Sequence, residues 1–187
     1  MSLTLSTMQK LGASAPNFIL PDVRTSTTIN LSDHAAQPLL IMFICNHCPY
    51  VLHLIQPLAE LANQYQQAGF AAIAISSNDI QSHPQDSPDN MKLFSEQHGF
   101  EFAYCYDESQ QTAKAYDAAC TPDFFIYDRD HKLRYRGQMD GSRPANDVAI
   151  TGADLKAALD AVLNGGDVSE QQSPSVGCNI KWKSEVL

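Results

Sequence analysis

Six consecutive apolar residues that end at a pair of cysteines constrain this chain more than any other feature of its sequence. The run Leu39–Ile44 suits a strand that is buried on both faces of a central sheet. Cys45 and Cys48 follow with two residues between them, and Pro49 comes next. From Val51 onward apolar residues recur at i, i+3, i+4 and i+7, which indicates an amphipathic helix. The sequence therefore predicts a dithiol at a strand-to-helix junction.

The remaining segments alternate strands with helices and then end in a hairpin and a helix. Phe70–Ser76 is a second buried strand, and Phe124–Tyr127 with Lys132–Arg136 predicts the hairpin. Near the start, Asn17–Leu20 and Thr28–Leu31 predict a smaller hairpin. This order predicts an α/β sandwich of three layers, in which helices cover both faces of a mixed central sheet.

The length and net charge of the chain limit its domain organisation and its partners. We expect the 187 residues to form a single domain, with a lead-in at residues 1–13 and a tail at 167–187 packed on or near it. A net charge of −9 argues against nucleic-acid or anionic-membrane partners, which would need a basic face. We also find no apolar stretch of the roughly 20 residues that a membrane span needs, and no secretory leader. Cytoplasmic localisation is the resulting expectation.

The chemistry of the cysteine pair depends on where the helix begins. A helix that starts at or near Cys45 places that sulfur beside unpaired backbone N–H groups, which favour the thiolate. Cys48 then lies one turn along the same face and can close or resolve a disulfide. His47, when protonated, would stabilise the Cys45 thiolate further. Half of a metal site and two inert core residues remain the alternative interpretations of this motif.

Several segments, taken together, resemble the thioredoxin superfamily, in particular its redoxin branch, which is AhpC/TSA-like and carries an N-terminal hairpin. The segments are Ala15–Asp22, Leu39–Pro49, Thr121–Asp128 and Leu133–Gly137. The tail Ser175–Lys183 further resembles a bacterial subgroup that carries a Cys-Asn-His-Cys-Pro-Tyr site. The resemblance covers nearly the whole chain and implies a thioredoxin-like sandwich.

The same resemblance implies a function and roles for individual residues. It implies a thiol-disulfide oxidoreductase without a cofactor, in which Cys45 attacks and Cys48 resolves, and whose substrates are protein or small-molecule disulfides and thiols. Pro122 is expected to be a cis-proline beside the dithiol, and Thr121 to offer its backbone to an extended substrate chain. With His47 as the tuning residue, we expect a potential less negative than the roughly −270 mV of thioredoxin.

Two other functions stay open at this stage. Peroxiredoxins, which are thiol peroxidases, resemble this chain in outline. However, Met42 stands where they carry a threonine, and Pro122 or its neighbours replace their arginine. A non-catalytic copper or zinc carrier would use Cys45, Cys48 and a nearby His or Cys.

A third redox thiol is also conceivable. If the tail folds back, Cys178 could exchange with Cys45 while Trp182 anchors the tail; a small buried residue is the other interpretation. Cys120 and Cys105 are expected to be core thiols.

Overall fold

The computed structural model describes residues 3–184, which form ten strands and four α-helices. The strands are β1 (Leu3–Leu5), β2 (Ile19–Pro21), β3 (Thr28–Asn30), β4 (Leu39–Phe43), β5 (Ala71–Ser76), β6 (Ala103–Tyr106), β7 (Cys120–Thr121), β8 (Asp123–Tyr127), β9 (Leu133–Gly137) and β10 (Val176–Asn179). The helices are α1 (Pro49–Gln67), α2 (Pro88–Gln97), α3 (Gln111–Ala115) and α4 (Ala153–Leu163).

The central sheet has five strands in the order β6-β5-β4-β8-β9. Strands β4, β5 and β6 run parallel, whereas β8 and β9 are antiparallel to their neighbours, so the sheet is mixed. Every residue of β4 and β5 is buried, as their unbroken apolar sequences predict. Because β4 is the middle strand, its carboxyl end opens at the centre of the sheet edge, and Cys45 lies there.

Two apolar cores lie on opposite faces of this sheet. Side chains of α1, α2 and α4 pack with Leu40 and Met42 on one face. On the other face, Leu39 and Ile41 pack with residues of α3 and of the N-terminal segment, and Ile180 from the tail joins them. The predicted three-layer sandwich is therefore confirmed, as is the small N-terminal hairpin, which is the β2-β3 pair.

A second, three-stranded sheet in the order β1-β10-β7 has no counterpart in the sequence-based prediction. In it, strand β10 of the tail lies between β1 and β7. The first two residues of the predicted lead-in and the last three of the predicted tail lie outside the described residues. Within residues 3–184, none of the helices combines the length and apolar character that a membrane crossing requires.

Candidate active site

The helix that carries the dithiol begins later than its sequence suggested. Cys48 is the N-cap of α1, which starts at Pro49, so the condition for a Cys45 thiolate, a helix that starts at or near Cys45, is not met. The reason is Pro49, whose ring suits the first helical position but forces the preceding residue out of the helical region. Cys48 accordingly has φ −71° and ψ 123°. The N-terminal end of the helix therefore acts on Cys48 first.

Cys48 is the thiol that the site stabilises as a thiolate. A hydrogen bond from Cys45 is the largest influence and lowers the pKa of Cys48 to about 5, against the opposing effect of burial. Hydrogen bonds from Cys178 and from the backbone of Val51 lower it further. In its protonated form, Cys48 can donate to the carbonyl oxygen of Thr121 at 3.2 Å. The negative charge thus rests at the helix N-terminus, where unpaired N–H groups favour it.

The surroundings of Cys45 instead favour its protonated form. Its hydrogen bond to Cys48, its burial and the negative charge of Asp86 raise the pKa of Cys45 well above 9.0. Its Sγ also lies 3.3 Å from the hydroxyl oxygen of Thr121. Both cysteines are reduced and almost fully buried. The surroundings thus raise the pKa of Cys45 and lower that of Cys48, the opposite of the shift that the prediction of a Cys45 thiolate requires.

A buried carboxylate that the sequence interpretation missed completes this side of the site. Asp86 lies in a short 3₁₀ turn before α2 and is fully buried. It accepts hydrogen bonds from the backbone of Asn46 at 2.8 Å and from the side chain of Asn78 at 2.8 Å, and its other contact is His47 Nδ1 at 2.7 Å. Burial opposes ionisation, but these hydrogen bonds outweigh it and lower the pKa of Asp86. The carboxylate therefore stays charged inside the protein.

His47 is consequently oriented by Asp86. Its ring also stacks on His83, with 4.9 Å between the ring centroids. Its Nε2 is buried and makes no hydrogen bond within residues 3–184. Ligand atoms of Cys45, His47 and Asp86 lie within 4.8 Å of one another. A thiol, an imidazole and a carboxylate at this spacing can relay a proton, or can supply S, N and O ligands to a metal.

Asp86 gave little signal in the sequence. It belongs to the polar segment Ser82–Pro88, whose Pro, Ser and Asp residues are typical of a turn. An acid in such a segment usually caps a helix or lies in solvent. Its burial depends on the distance between this connector and the end of β4, which only the fold determines.

The proline loop faces the dithiol from β7 and β8. The peptide bond between Thr121 and Pro122 is cis, as the resemblance implied. Thr121 contacts both sulfurs, Cys45 through its hydroxyl and Cys48 through its carbonyl. This residue is therefore the point where the two sides of the site meet.

The backbone edge of Thr121 is already occupied, contrary to the expectation that it is open to an extended substrate chain. Cys178 of β10 pairs with Thr121 in an antiparallel register. The approach is so close that a Cβ atom on Gly177 would lie 1.9 Å from the carbonyl oxygen of Thr121. Ser175 Oγ also donates to the carbonyl oxygen of Pro122 at 2.7 Å. The tail of the chain thus fills the position expected for a substrate.

Of the remaining cysteines, one contacts the redox pair and two are buried in the core. Cys178 hydrogen-bonds Cys48 through both its thiol and its backbone, whereas the sequence interpretation paired it with Cys45. Cys120 is fully buried, and its Sγ lies 3.7 Å from the carbonyl oxygen of Pro122. Cys105 lies in the core on the opposite face of the sheet. Burial raises the pKa of Cys120 and Cys105, and it also raises that of Cys178, to about 12, so all three are protonated thiols in the reduced protein.

Comparison with known protein families gives a match over most of the chain. The AhpC/TSA family model matches residues 11–136, a range that includes the dithiol and the Thr121–Pro122 bond and ends before β10. No curated protein sequence matches the chain significantly.

Two solved structures resemble the chain over nearly its whole length. An uncharacterized conserved protein from Geobacillus kaustophilus is 51% identical with a TM-score of 0.96, and the match covers 100% of this chain and 99% of that one. A hypothetical protein from Sinorhizobium meliloti 1021 is 46% identical with a TM-score of 0.93, covering 97% and 99% of the two chains.

More distant structures share the fold. One is a putative thiol:disulfide interchange protein DsbE from Chlorobium tepidum, at 23% identity and a TM-score of 0.65 over 82% of this chain and 98% of that chain. At that identity, the similarity shows the thioredoxin-like fold alone.

Proposed function

The chain belongs to the AhpC/TSA family, and from that premise we propose that it is a thiol-disulfide oxidoreductase that uses Cys45 and Cys48 as its redox pair. One observation carries the proposal. The two thiols are hydrogen-bonded to each other at the N-terminus of α1 and face a cis-proline loop. A thiolate held at a helix N-terminus next to a second thiol is the arrangement that thiol-disulfide exchange requires.

In the proposed reaction, Cys45 attacks one sulfur of a substrate disulfide, and the other substrate sulfur leaves as a thiolate. Cys48 then attacks Cys45 Sγ, which closes the Cys45–Cys48 disulfide and releases the second substrate thiol. Cys45 is assigned the external attack because Cys48, unlike Cys45, is also covered by Cys178 of the tail. The proton of Cys45 can pass along its hydrogen bond to Cys48, or to the imidazole of His47, whose ligand atom lies within 4.8 Å of Cys45 Sγ.

The lowered pKa of Cys48 also bears on the direction of electron flow. Stabilising a thiolate stabilises the reduced protein, so the disulfide becomes a stronger oxidant. We therefore expect a potential above the roughly −270 mV of thioredoxin. The substrates are protein or small-molecule disulfides and thiols.

An insulin reduction assay with dithiothreitol tests this function. The wild type should accelerate precipitation of the insulin B chain, and Cys45→Ser should not. Cys105→Ser is the matched control, because Cys105 lies on the opposite face of the sheet. Equal activity of the wild type and Cys45→Ser would remove the proposal. In Cys48→Ser, a mixed disulfide between Cys45 and the substrate should accumulate, because no second thiol resolves it.

A peroxidase activity at Cys45 is the second candidate, and the Thr121 hydroxyl favours it. Met42 cannot supply the hydroxyl of a peroxiredoxin motif, but Thr121 places one 3.3 Å from Cys45 Sγ. Hydrogen peroxide turnover with dithiothreitol, lost in both Cys45→Ser and Thr121→Val, would support this activity. Turnover that Thr121→Val leaves unchanged would argue against it.

The S, N and O ligands of Cys45, His47 and Asp86 also favour the metal-carrier alternative. Metal analysis of protein purified without added metal separates it from the redox proposal. Stoichiometric zinc or copper that protects the thiols from alkylation, and is lost in Asp86→Asn, would support a carrier.

A further inference from the structure

A third thiol touches the redox pair and is not used in the reaction proposed above. Cys178 donates hydrogen bonds to Cys48 from its thiol and from its backbone. It is 3% exposed, so solvent does not separate it from the pair. Cys48 therefore lies between two thiols, Cys45 and Cys178, and is hydrogen-bonded to both.

The fold holds Cys178 in this position through backbone contacts. Strand β10 pairs with β1 on one side and with β7 on the other, and Cys178 lies opposite Thr121. Gly177 permits the close approach, because any larger residue would overlap the Thr121 carbonyl. Ser175 adds hydrogen bonds to Pro122 and to the Ser6 hydroxyl. The pairing of β10 within a sheet therefore holds Cys178 in a fixed position.

We propose that Cys178 is a third redox thiol whose disulfide partner is Cys48, so that a disulfide formed at Cys45 and Cys48 moves inward to Cys48 and Cys178. This inference rests on the proposed oxidoreductase function. In the exchange, Cys178 Sγ attacks Cys48 Sγ as its thiol gives up the proton. The bond between Cys48 and Cys178 forms, the bond between Cys45 and Cys48 breaks, and its electron pair leaves on Cys45. The Cys178 proton ends on Cys45, so the step is an isomerisation and needs no oxidant.

The exchange has a structural consequence at the substrate edge. A Cys48–Cys178 disulfide ties β10 covalently to the N-terminus of α1, across the edge of Thr121. The same step returns Cys45 to the thiol form. One arrangement of the disulfide therefore locks the tail on the site, whereas the other leaves the tail held only by noncovalent contacts. An extended peptide that pairs with Thr121 can compete with the tail only in the second arrangement.

Redox titration in buffers of reduced and oxidised glutathione tests the inference. Samples are quenched with acid, alkylated, digested and mapped by peptide mass spectrometry. We expect the oxidised wild type to contain a Cys48–Cys178 linkage in addition to Cys45–Cys48. In Cys45→Ser, the Cys48–Cys178 disulfide should still form, because oxidised glutathione takes the two electrons. In Cys178→Ser, only Cys45–Cys48 should form, and Cys120→Ser should match the wild type.

The outcomes separate this inference from the function on which it rests. Cys178 that stays alkylatable in both the wild type and Cys45→Ser, while Cys45–Cys48 forms normally, overturns the inference and leaves the oxidoreductase intact. A wild type that neither forms Cys45–Cys48 nor reduces insulin overturns the proposed function itself. Urea unfolding of each serine variant shows whether it retains the native fold. If a variant does not fold, the disulfide map of the wild type still shows whether Cys48 and Cys178 are linked.

Discussion

At the scale of single residues, the site distributes one proton and one negative charge between two sulfurs. Helix α1 begins at Pro49 with Cys48 as its N-cap, so the free N–H groups of the first turn favour charge on Cys48. Asp86 adds a negative charge on the side of Cys45 and disfavours a thiolate there. The hydrogen bond between the two thiols is the largest cause of this asymmetry, and the backbone of Val51 and the charge of Asp86 add to it.

We expect one thiolate to form with a midpoint near pH 5 when the reduced protein is titrated and the ultraviolet absorbance of the thiolate is followed. Cys48→Ala should abolish this transition, and Cys45→Ala should move it to higher pH, because the hydrogen bond from Cys45 is the largest cause of the lowered pKa. Cys105→Ala is the control and should leave the midpoint unchanged. A midpoint that Cys45→Ala also leaves unchanged would contradict the assignment.

The same shift makes stability depend on pH. The pKa of Cys48 in the folded protein lies below its ordinary value of 9.0, so the stabilising contribution is full above that pH and is lost as the pH falls towards about 5. Urea unfolding of the reduced wild type and Cys48→Ala should therefore give a stability difference that grows from pH 5 to pH 9.

Asp86 gives a second pH dependence, in the acid range. Its pKa is lowered from 3.8 in the folded protein, so its contribution is present above that value and is lost as the pH falls below it. We expect Asp86→Asn to cost about 1–3 kcal/mol at neutral pH, as for a buried charged hydrogen-bond partner. Unfolding measurements near pH 3 should show a smaller difference from the wild type. A difference that stays constant across this range would contradict a charged Asp86.

At the scale of elements, strand β10 determines what lies against Cys48 and Thr121. A tail strand occupies the edge beside the cis-proline, and its register brings a cysteine to Cys48. The register depends on Gly177, because a Cβ there would lie inside contact distance of the Thr121 backbone. A glycine that lacks positive φ is therefore required here for close approach between strands.

Gly177→Ala should detach β10 from β7 and cost about 1–3 kcal/mol, as for an overpacked core position. Hydrogen exchange should show faster exchange over residues 175–180 and at Thr121. Gly166→Ala is the matched control, because its Cβ would meet the nearest atom at 3.5 Å, an ordinary contact. Equal exchange rates of the two variants would rule out the close approach.

At the scale of the whole molecule, the tail connects the active-site edge to the core on the far face of the central sheet. Ile180 is 1% exposed and packs in that core, whereas Trp182 remains 41% exposed, with the Lys114 ammonium 5.8 Å from its ring centroid. The main apolar anchor of the tail is thus Ile180, two residues before the tryptophan that the sequence indicated.

Ile180→Ala should therefore lower the free energy of unfolding by about 2–5 kcal/mol, the usual range for truncation of a buried isoleucine. Trp182→Ala should cost about 0.5–1 kcal/mol, as for an exposed cation-π contact. Chemical denaturation of both variants measures the two losses in the free energy of unfolding. A larger loss in Trp182→Ala would reverse the assignment of the anchor.

The sequence by itself determined the sandwich and the position of the dithiol. The six apolar residues Leu39–Ile44 suit a strand buried on both faces, and the periodicity after Val51 indicates an amphipathic helix that packs on one of them. Both signals are local, because they depend on the spacing of apolar residues within one segment. The hairpins of the fold follow from turn residues in the same way.

The tertiary structure alone decided which atoms meet the two sulfurs. Asp86 reaches His47 from 39 residues away, and Thr121 reaches Cys45 from 76 residues away. Cys178 was a candidate in the sequence, but its partner became clear only from the pairing of β10 with β7. Such contacts arise where separate elements end at one sheet edge, and residue spacing along the chain carries no information about that distance. These contacts lower the pKa of Cys48 and raise that of Cys45, a difference that the motif alone could not give.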